Sequence, residues 1–299
     1  MSSPALRSIV LAGAGNLGSF IPDELVAHPA SFSVTVLTRA GSSKSFPSSV
    51  SVKVVDYANE TELEEAVKGA DVVISTLAML DAQEHLIRAS AKTGVKLFVP
   101  SEFGNPTVPI TSSDHPILQT KKAAHSLLAS VGLPAVLVYT GPFLDHTFEP
   151  FFDFDFAGRK VKLVGRGETP ISFTSRRDVA RFLAHYFANL TTLPSPASPT
   201  ILRLEGDRTT LKQGAELWAR LNGVQLEYEH QPLEEAEKAS SNVDWTNVLP
   251  SLVAYLLAVW EKGATVDEGK GEEVLSGKDW AEWKPLKLEE FFRQQLKQQ

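Results

Sequence analysis

The 299-residue chain contains no cysteine, so disulfides, thiolate metal ligands and a cysteine nucleophile are excluded before any motif is read. It has no surplus of positive charge either. Lys and Arg number 29 against 36 Asp and Glu, a formal net charge of −7, which disfavours nucleic acid or an anionic membrane surface as a partner. Long hydrophobic runs are missing: the most apolar stretch, within Val248–Trp260, is interrupted by Pro250 and falls short of the roughly 20 residues that span a bilayer. The first residues, Met1–Arg7, do not read as a secretory signal, and the expectation is a cytoplasmic protein, monomer or homodimer. At 43% hydrophobic and 22% charged, the composition is globular, and the length suits one large domain or two moderate ones.

What is present is a rhythm. Short β-branched runs at Ser8–Ala14, Val34–Thr38, Val50–Val55, Val72–Thr76, Leu97–Val99 and Ala135–Thr140 alternate with helix-like segments, among them Asn59–Lys68 and Asp81–Lys92, with Gly69 and Gly94 as stops. That pattern predicts βαβ units. The runs are continuous rather than alternating, as in parallel strands covered on both faces, so the fold class is α/β with a Rossmann-type doubly wound sheet. After about Pro142 the rhythm breaks. A smaller α+β domain is expected over 151–299, after a dinucleotide-binding domain over 1–150, with some later segments returning to the first sheet. It should hold a strand pair at Arg159–Val164 and Pro170–Thr174, a helix from Asp178, and a Pro/Ser loop at Leu193–Thr200. A strand at Ile201–Leu204 should follow, with helices at Leu211–Leu221, Val248–Trp260 and Leu288–Leu296 and an exposed connection at Gly263–Gly277.

Gly13-Ala14-Gly15-Asn16-Leu17-Gly18 directly follows the first strand, the context in which G-x-G-x-x-G binds a dinucleotide pyrophosphate. One glycine makes the turn, one lets the phosphates approach, and one lets helix and strand pack closely. Pro22 predicts a kink in the following helix or a later start. At the end of the second strand, where an acidic residue would select NAD, the chain has Thr38-Arg39, with Ser42, Ser43 and Lys44 close behind. A guanidinium there suits the 2′-phosphate, so the expected cofactor is NADP(H).

The stretch Asp114–Gly132 reads as a helix with Asp114 as N-cap and Pro116 in the first turn. At about 100° per residue its apolar stripe is Ile117, Ala124, Leu128 and Val131, and Lys121 falls inside that stripe whereas Lys122 does not. A lysine on that face is either snorkelling or facing a ligand. None of the five tyrosines has lysine four residues on, so the Tyr-x-x-x-Lys acid of ordinary short-chain reductases is absent. His115, His125 and His146 lack metal-ligand spacing and read as structural or surface residues; Glu102 and Asp178 read as residues that cap or orient loops.

With the glycine loop, Arg39, the strand end Val72–Leu77, Phe98-Val99-Pro100-Ser101-Glu102-Phe103-Gly104, and Lys121 spaced before Gly132-Leu133-Pro134, the chain resembles the NmrA-like, isoflavone reductase-like branch of atypical short-chain reductases. The resemblance runs nearly the whole length. It implies an NADPH-binding Rossmann domain and a smaller substrate domain, with Lys121 as general acid/base. It also implies Asp56 near the adenine and Ser75, Thr76, Leu77, Pro100, Ser101, Glu102 and Phe103 around the cofactor. Thr140, Gly141, Pro142 and Phe143 would lie on the nicotinamide side. His125-Ser126 depart from the family pattern, which often has arginine a turn after the lysine, and this leaves the substrate class open. The expected activity is hydride transfer from NADPH to a small aromatic carbonyl, enone or benzylic substrate. Phe103, Phe143, Phe148 and Phe152 are the candidate substrate contacts; a core role for the Phe148–Phe156 cluster is the alternative. Two other functions stay open: a non-catalytic NADP-binding redox-sensing regulator of a protein partner, and a broad quinone reductase.

Overall fold

The computed structural model describes residues 6–78, 80–107, 114–263 and 280–297. The elements run β1 (Ser8–Ala12), α1 (Ile21–Ala27), β2 (Ser33–Thr38), β3 (Ser51–Val54), α2 (Glu60–Val67), β4 (Val72–Ser75), α3 (Leu80–Lys92) and β5 (Leu97–Val99). Then come α4 (Pro116–Ser130), β6 (Val136–Tyr139), α5 (Leu144–Thr147), β7 (Phe154–Asp155), β8 (Lys160–Val164), β9 (Ile171–Phe173) and α6 (Arg176–Asn189). The chain closes with β10 (Thr200–Arg203), β11 (Asp207–Thr209), α7 (Leu211–Asn222), β12 (Glu227–Gln231), α8 (Leu233–Ser241), α9 (Leu249–Glu261) and α10 (Leu288–Leu296). No helix among the described residues is long and apolar enough to cross a membrane.

The chain divides into two units. The first comprises Met1–Phe103, Gln119–Val138 and Arg176–Leu202, the second Gly104–Leu118, Tyr139–Ser175 and Arg203–Gln299. In the first, five parallel strands take the order β3-β2-β1-β4-β5, extended by a parallel bridge from Phe98 to Ala135 beside β6, which pairs with β10. Strand order reverses between β1 and β4, so the loops after β1, β4 and β5 leave the same carboxyl edge at the switch point where α/β sheets take their ligands. Every residue of β4, β5 and β6 is buried, which is why these strands are uniformly apolar.

Pro22 acts through the helix start. The chain turns through residues 15–20, and α1 begins at Ile21 with the proline in its first turn, where the missing N–H costs no helical bond. The helices α2, α3 and α4 are followed by Gly69, Gly94 and Gly132 in left-handed conformation, as the stops predict. At the start of α4, His115 Nδ1 accepts from Ile117 N at 3.3 Å, while the Asp114 carboxylate accepts from the Tyr255 hydroxyl, also at 3.3 Å.

The second unit corrects one expectation. The segments Arg159–Val164 and Pro170–Thr174 do contain strands, but these do not pair with each other. β8 lies between β7 and β12, and β9 pairs antiparallel with β11. The link between them is held to α9, because Glu261 accepts from Arg166 N at 2.9 Å and Gly167 N at 3.1 Å instead of leaving them to close a hairpin. The core of this unit gathers Leu144, Phe148, Phe152, Phe154, Phe173, Trp260 and Phe292. The connection expected at Gly263–Gly277 lies, beyond Gly263, outside the described residues.

Candidate functional site

The glycine loop is built so that two glycines are enforced by the protein and one is not. Gly13 has φ +95°, and a Cβ on Gly18 would lie 2.1 Å from the Gly13 carbonyl oxygen and 2.7 Å from Thr76 Oγ1. Thr76 Oγ1 donates to Gly13 O at 3.0 Å, tying the end of β4 to the loop. Gly15 is different: nothing lies within 4 Å of where its Cβ would stand. The protein gives no internal reason for glycine there, and a bare backbone facing open space is what a pyrophosphate needs to approach. Leu17 is buried beneath the loop, and Asn16 is exposed on it.

Around this loop the expected nucleotide contacts sit at strand ends. Arg39 is exposed immediately after β2, and Lys44 is exposed in the turn that follows. Asp56, exposed after β3, accepts from Ala58 N at 2.9 Å. Beneath Arg39, the buried Tyr57 hydroxyl donates to Leu37 O at 3.0 Å; burial pushes its pKa up to about 12, so it stays a neutral donor. Ser75 Oγ is buried with no hydrogen-bond partner among the described residues, and Leu77 is packed on the sheet core. Sequence reasoning missed Arg176, whose guanidinium donates to Asn16 Oδ1 and lies 5.0 Å from the Phe20 ring centre. Arg176 opens a helix far along the chain, and no local pattern ties it to residue 16.

The loop after β5 makes a tight turn. Glu102 N donates back to Pro100 O at 2.8 Å, Ser101 N is held by Gln83 Oε1 at 2.7 Å, and Phe103 takes φ +32°, a conformation that non-glycine residues avoid. Pro100, Glu102 and Phe103 are buried. This turn directs the Glu102 carboxylate inward, where its side chain is 1% exposed. Lys121, inside the apolar stripe of α4, reaches that turn: its Nζ donates to Glu102 O at 2.9 Å and lies 3.4 Å from Oε2. The other carboxylate oxygen is 2.7 Å from His125 Nε2. Lys122 points to solvent, as the helical phase predicts. The structure thus brings Glu102, Lys121 and His125 together. The signal for His125 was its place four residues after Lys121, hence on the same helix face.

The remaining candidates belong to the second unit. Thr140 and Gly141 donate their N–H groups to Gly104 O at 3.0 and 3.1 Å, Pro142 is buried and Phe143 is half-buried. Phe148 is enclosed by aromatic rings, with centroids 5.0 Å from Phe154, 5.6 Å from Phe292 and 5.7 Å from Phe173. Phe152 packs on Trp260 at 5.2 Å. Both rings fill the core, whereas Phe151 is the exposed member of the cluster. No group of three His, Asp or Glu suited to a metal occurs among the described residues.

A parallel sheet with a glycine turn after β1 and its loops gathered at one carboxyl edge defines a Rossmann-type α/β protein. More particularly, the chain belongs to the NmrA-like family, whose model matches residues 7–292. It is 37% identical over 182 residues to oxidoreductase aprR of Aspergillus flavus, covering 58% of this chain and 61% of that one. It is 28% identical over 189 residues to phenylcoumaran benzylic ether reductase PT1 of Pinus taeda, covering 60% of each. These matches thus span less than two thirds of either relative's length. In fold it is similar to the leucoanthocyanidin reductase–NADPH binary complex of Vitis vinifera, with a TM-score of 0.76, 19% identity and coverage of 96% of this chain and 98% of that one.

Proposed function

We propose that the protein is an NADPH-dependent reductase of small aromatic carbonyl, enone or benzylic substrates, with Lys121 as the general acid/base. The observation that carries this reading is the inward lysine: a cation on the apolar face of α4, 20% exposed at its side chain, held on the turn after β5. A second support is the open space beside Gly15 at the same edge of the sheet. The names of the relatives, oxidoreductase and benzylic ether reductase, agree with it. NADPH, when bound, supplies the hydride. Gly13, Gly15 and Gly18 would hold its pyrophosphate, Arg39 with Lys44 the 2′-phosphate, and Asp56 the adenosine side.

The chemistry left to the chain is a proton. Lys121 keeps an ammonium proton beside Glu102 and delivers it to the substrate oxygen on which negative charge develops. With a phenolic benzylic ether the lysine would act instead from its free-amine form: it takes the phenol proton, the benzylic C–O bond breaks, the departing oxygen takes up that proton, and the hydride adds to the benzylic carbon of the quinone methide left behind. Phe103, buried on the turn after β5, is the aromatic side chain of the first unit assigned to the substrate.

The test is consumption of NADPH against a panel of enones, quinones and phenylpropanoid-like compounds, with wild type and Lys121→Ala. The variant should bind NADPH as tightly as wild type in a fluorescence titration and lose roughly 10²–10⁴-fold in kcat. Retained turnover in Lys121→Ala would refute the role given to the lysine.

A further inference from the structure

We propose that Arg176 is a pyrophosphate-binding residue, a cation brought to the glycine loop by a helix 160 residues further along the chain. The proposal rests on the reading of that loop as the seat of NADPH and adds the positive charge that the loop itself lacks. In a Rossmann-type site the helix after the loop meets the phosphates with its N-terminal amides and its dipole. Here that helix is short and starts late. The chain turns through residues 15–20, and α1 runs only from Ile21 to Ala27, with Asp23 and Glu24 in its first turn and no side-chain cap. Those carboxylates oppose an anion where the dipole would attract it. From Gly13 to Ala27 the sequence holds no Lys, Arg or His.

Arg176 supplies the charge from outside. It opens α6, which packs along α1, and its guanidinium donates to Asn16 Oδ1, on the loop residue next to Gly15. The guanidinium carbon lies 5.0 Å from the Phe20 ring centre, a cation–π contact that steadies its plane. Gly15 and Asn16 are exposed, and no protein atom stands within 4 Å of a Cβ built on Gly15. Neighbouring Cα atoms are about 3.8 Å apart, so the cation is anchored one residue from the stretch of backbone left open. A guanidinium keeps its charge whatever else it bonds, and its planar fork suits phosphate oxygens. The next residue of α6 is placed differently: Arg177 Nε lies 2.7 Å from Glu24 Oε1, on the acidic first turn of α1. All of these residues belong to the first unit.

The test needs no substrate. The full chain is titrated calorimetrically with NADP⁺ and with 2′-AMP, which carries the adenine and the 2′-phosphate but no pyrophosphate. Arg176→Gln should weaken NADP⁺ about ten- to hundredfold and leave 2′-AMP unchanged. Arg176→Lys should recover part of the loss, since it keeps the charge and drops the fork. Arg177→Gln, which removes the neighbouring charge, should bind both ligands as wild type does. Wild type alone gives an independent reading that needs no variant to fold: NADP⁺ should slow phenylglyoxal labelling of Arg176 relative to Arg177, followed by mass spectrometry, and 2′-AMP should not. Unchanged NADP⁺ affinity in Arg176→Gln would overturn the proposal, as would labelling indifferent to NADP⁺. Equal weakening of 2′-AMP would overturn it too, because Arg176 would then only hold the loop in shape. A wild type that binds NADP⁺ while Arg176→Gln binds it equally well removes Arg176 alone from the site; a wild type that binds neither ligand removes the NADPH reading itself.

Discussion

Three glycines in one loop are chemically identical residues with different reasons for being there, and the difference is measurable. At Gly18 a methyl group would lie 2.1 Å from the Gly13 carbonyl oxygen, which is backbone and cannot swing away. At Gly15 the same methyl would meet nothing within 4 Å. Gly18→Ala should therefore lower the melting temperature and cost on the order of 1–3 kcal/mol of stability, in the range of overpacked sites, with NADPH binding lost as a consequence. Gly15→Ala should leave the melting curve unchanged within error and still weaken NADPH at least tenfold, because the added carbon meets no protein atom within 4 Å and stands in the space assigned to the pyrophosphate. Thermal melts and fluorescence titration on the two variants check this directly. If Gly15→Ala bound NADPH as wild type does, the loop would not be a pyrophosphate cradle.

At the scale of elements, legibility follows burial in the centre of the sheet. The six apolar runs of the first half all contain strands, and β4, β5 and β6, buried at every residue, are apolar throughout for that reason; β3 departs from the expected cover on both faces, since none of its residues is buried. The inward phase of Lys121 was readable for the same reason: Ala124 and Leu128 on its stripe are buried and fix the helix rotation. Two later elements with little or no buried face were not readable. β12, Glu-Tyr-Glu-His-Gln, has no buried residue and exists through its parallel ladder with β8, and α8 buries only Ala236. Likewise, β8 and β9 pair with β12 and β11, and the link between them is bonded to Glu261, about 90 residues further on, which no local pattern reports. The start of α4 carries a prediction of its own. His115 is buried, caps Ile117 N through Nδ1 and faces Ser251 Oγ through Nε2 at 3.2 Å, and burial holds its pKa below the usual 6.5. His28 is shifted the same way by the same cause. Above pH 6.5 the ring is neutral in folded and unfolded chains alike and stability is insensitive to it. Below that value the unfolded chain binds protons that the folded chain refuses, so stability falls as pH drops, by at most about 1.4 kcal/mol per pH unit for each ring. Urea unfolding between about pH 7 and 5 should show the decline, shallower in His115→Gln. An equal slope in that variant would mean that the capping ring does not titrate with folding.

For the whole molecule, ligand and fold are linked through the first unit, because the residues assigned to NADPH's nucleotide part, from Gly13 to Asp56, all lie there. A ligand that binds only the folded chain stabilises it by RT ln(1 + [L]/Kd), about 2.7 kcal/mol at a hundredfold excess over Kd. For a chain of this size that corresponds to an upward shift in melting temperature of roughly 4 °C. NADH at the same concentration should give a distinctly smaller shift, since Arg39, exposed at the end of β2, is assigned to the 2′-phosphate that NADH lacks. Arg39→Ala should bring the two shifts together by lowering that of NADPH, not by raising that of NADH, because removing a cation deletes an attraction without creating a site for the 2′-hydroxyl. Hydrogen exchange with NADPH bound should then show new protection at the glycine loop, at residues 38–44 and at residues 75–77. Equal shifts for both coenzymes in the wild-type chain would remove the basis for assigning Arg39 to the phosphate, and protection confined to the second unit would remove the glycine loop as the seat of the dinucleotide.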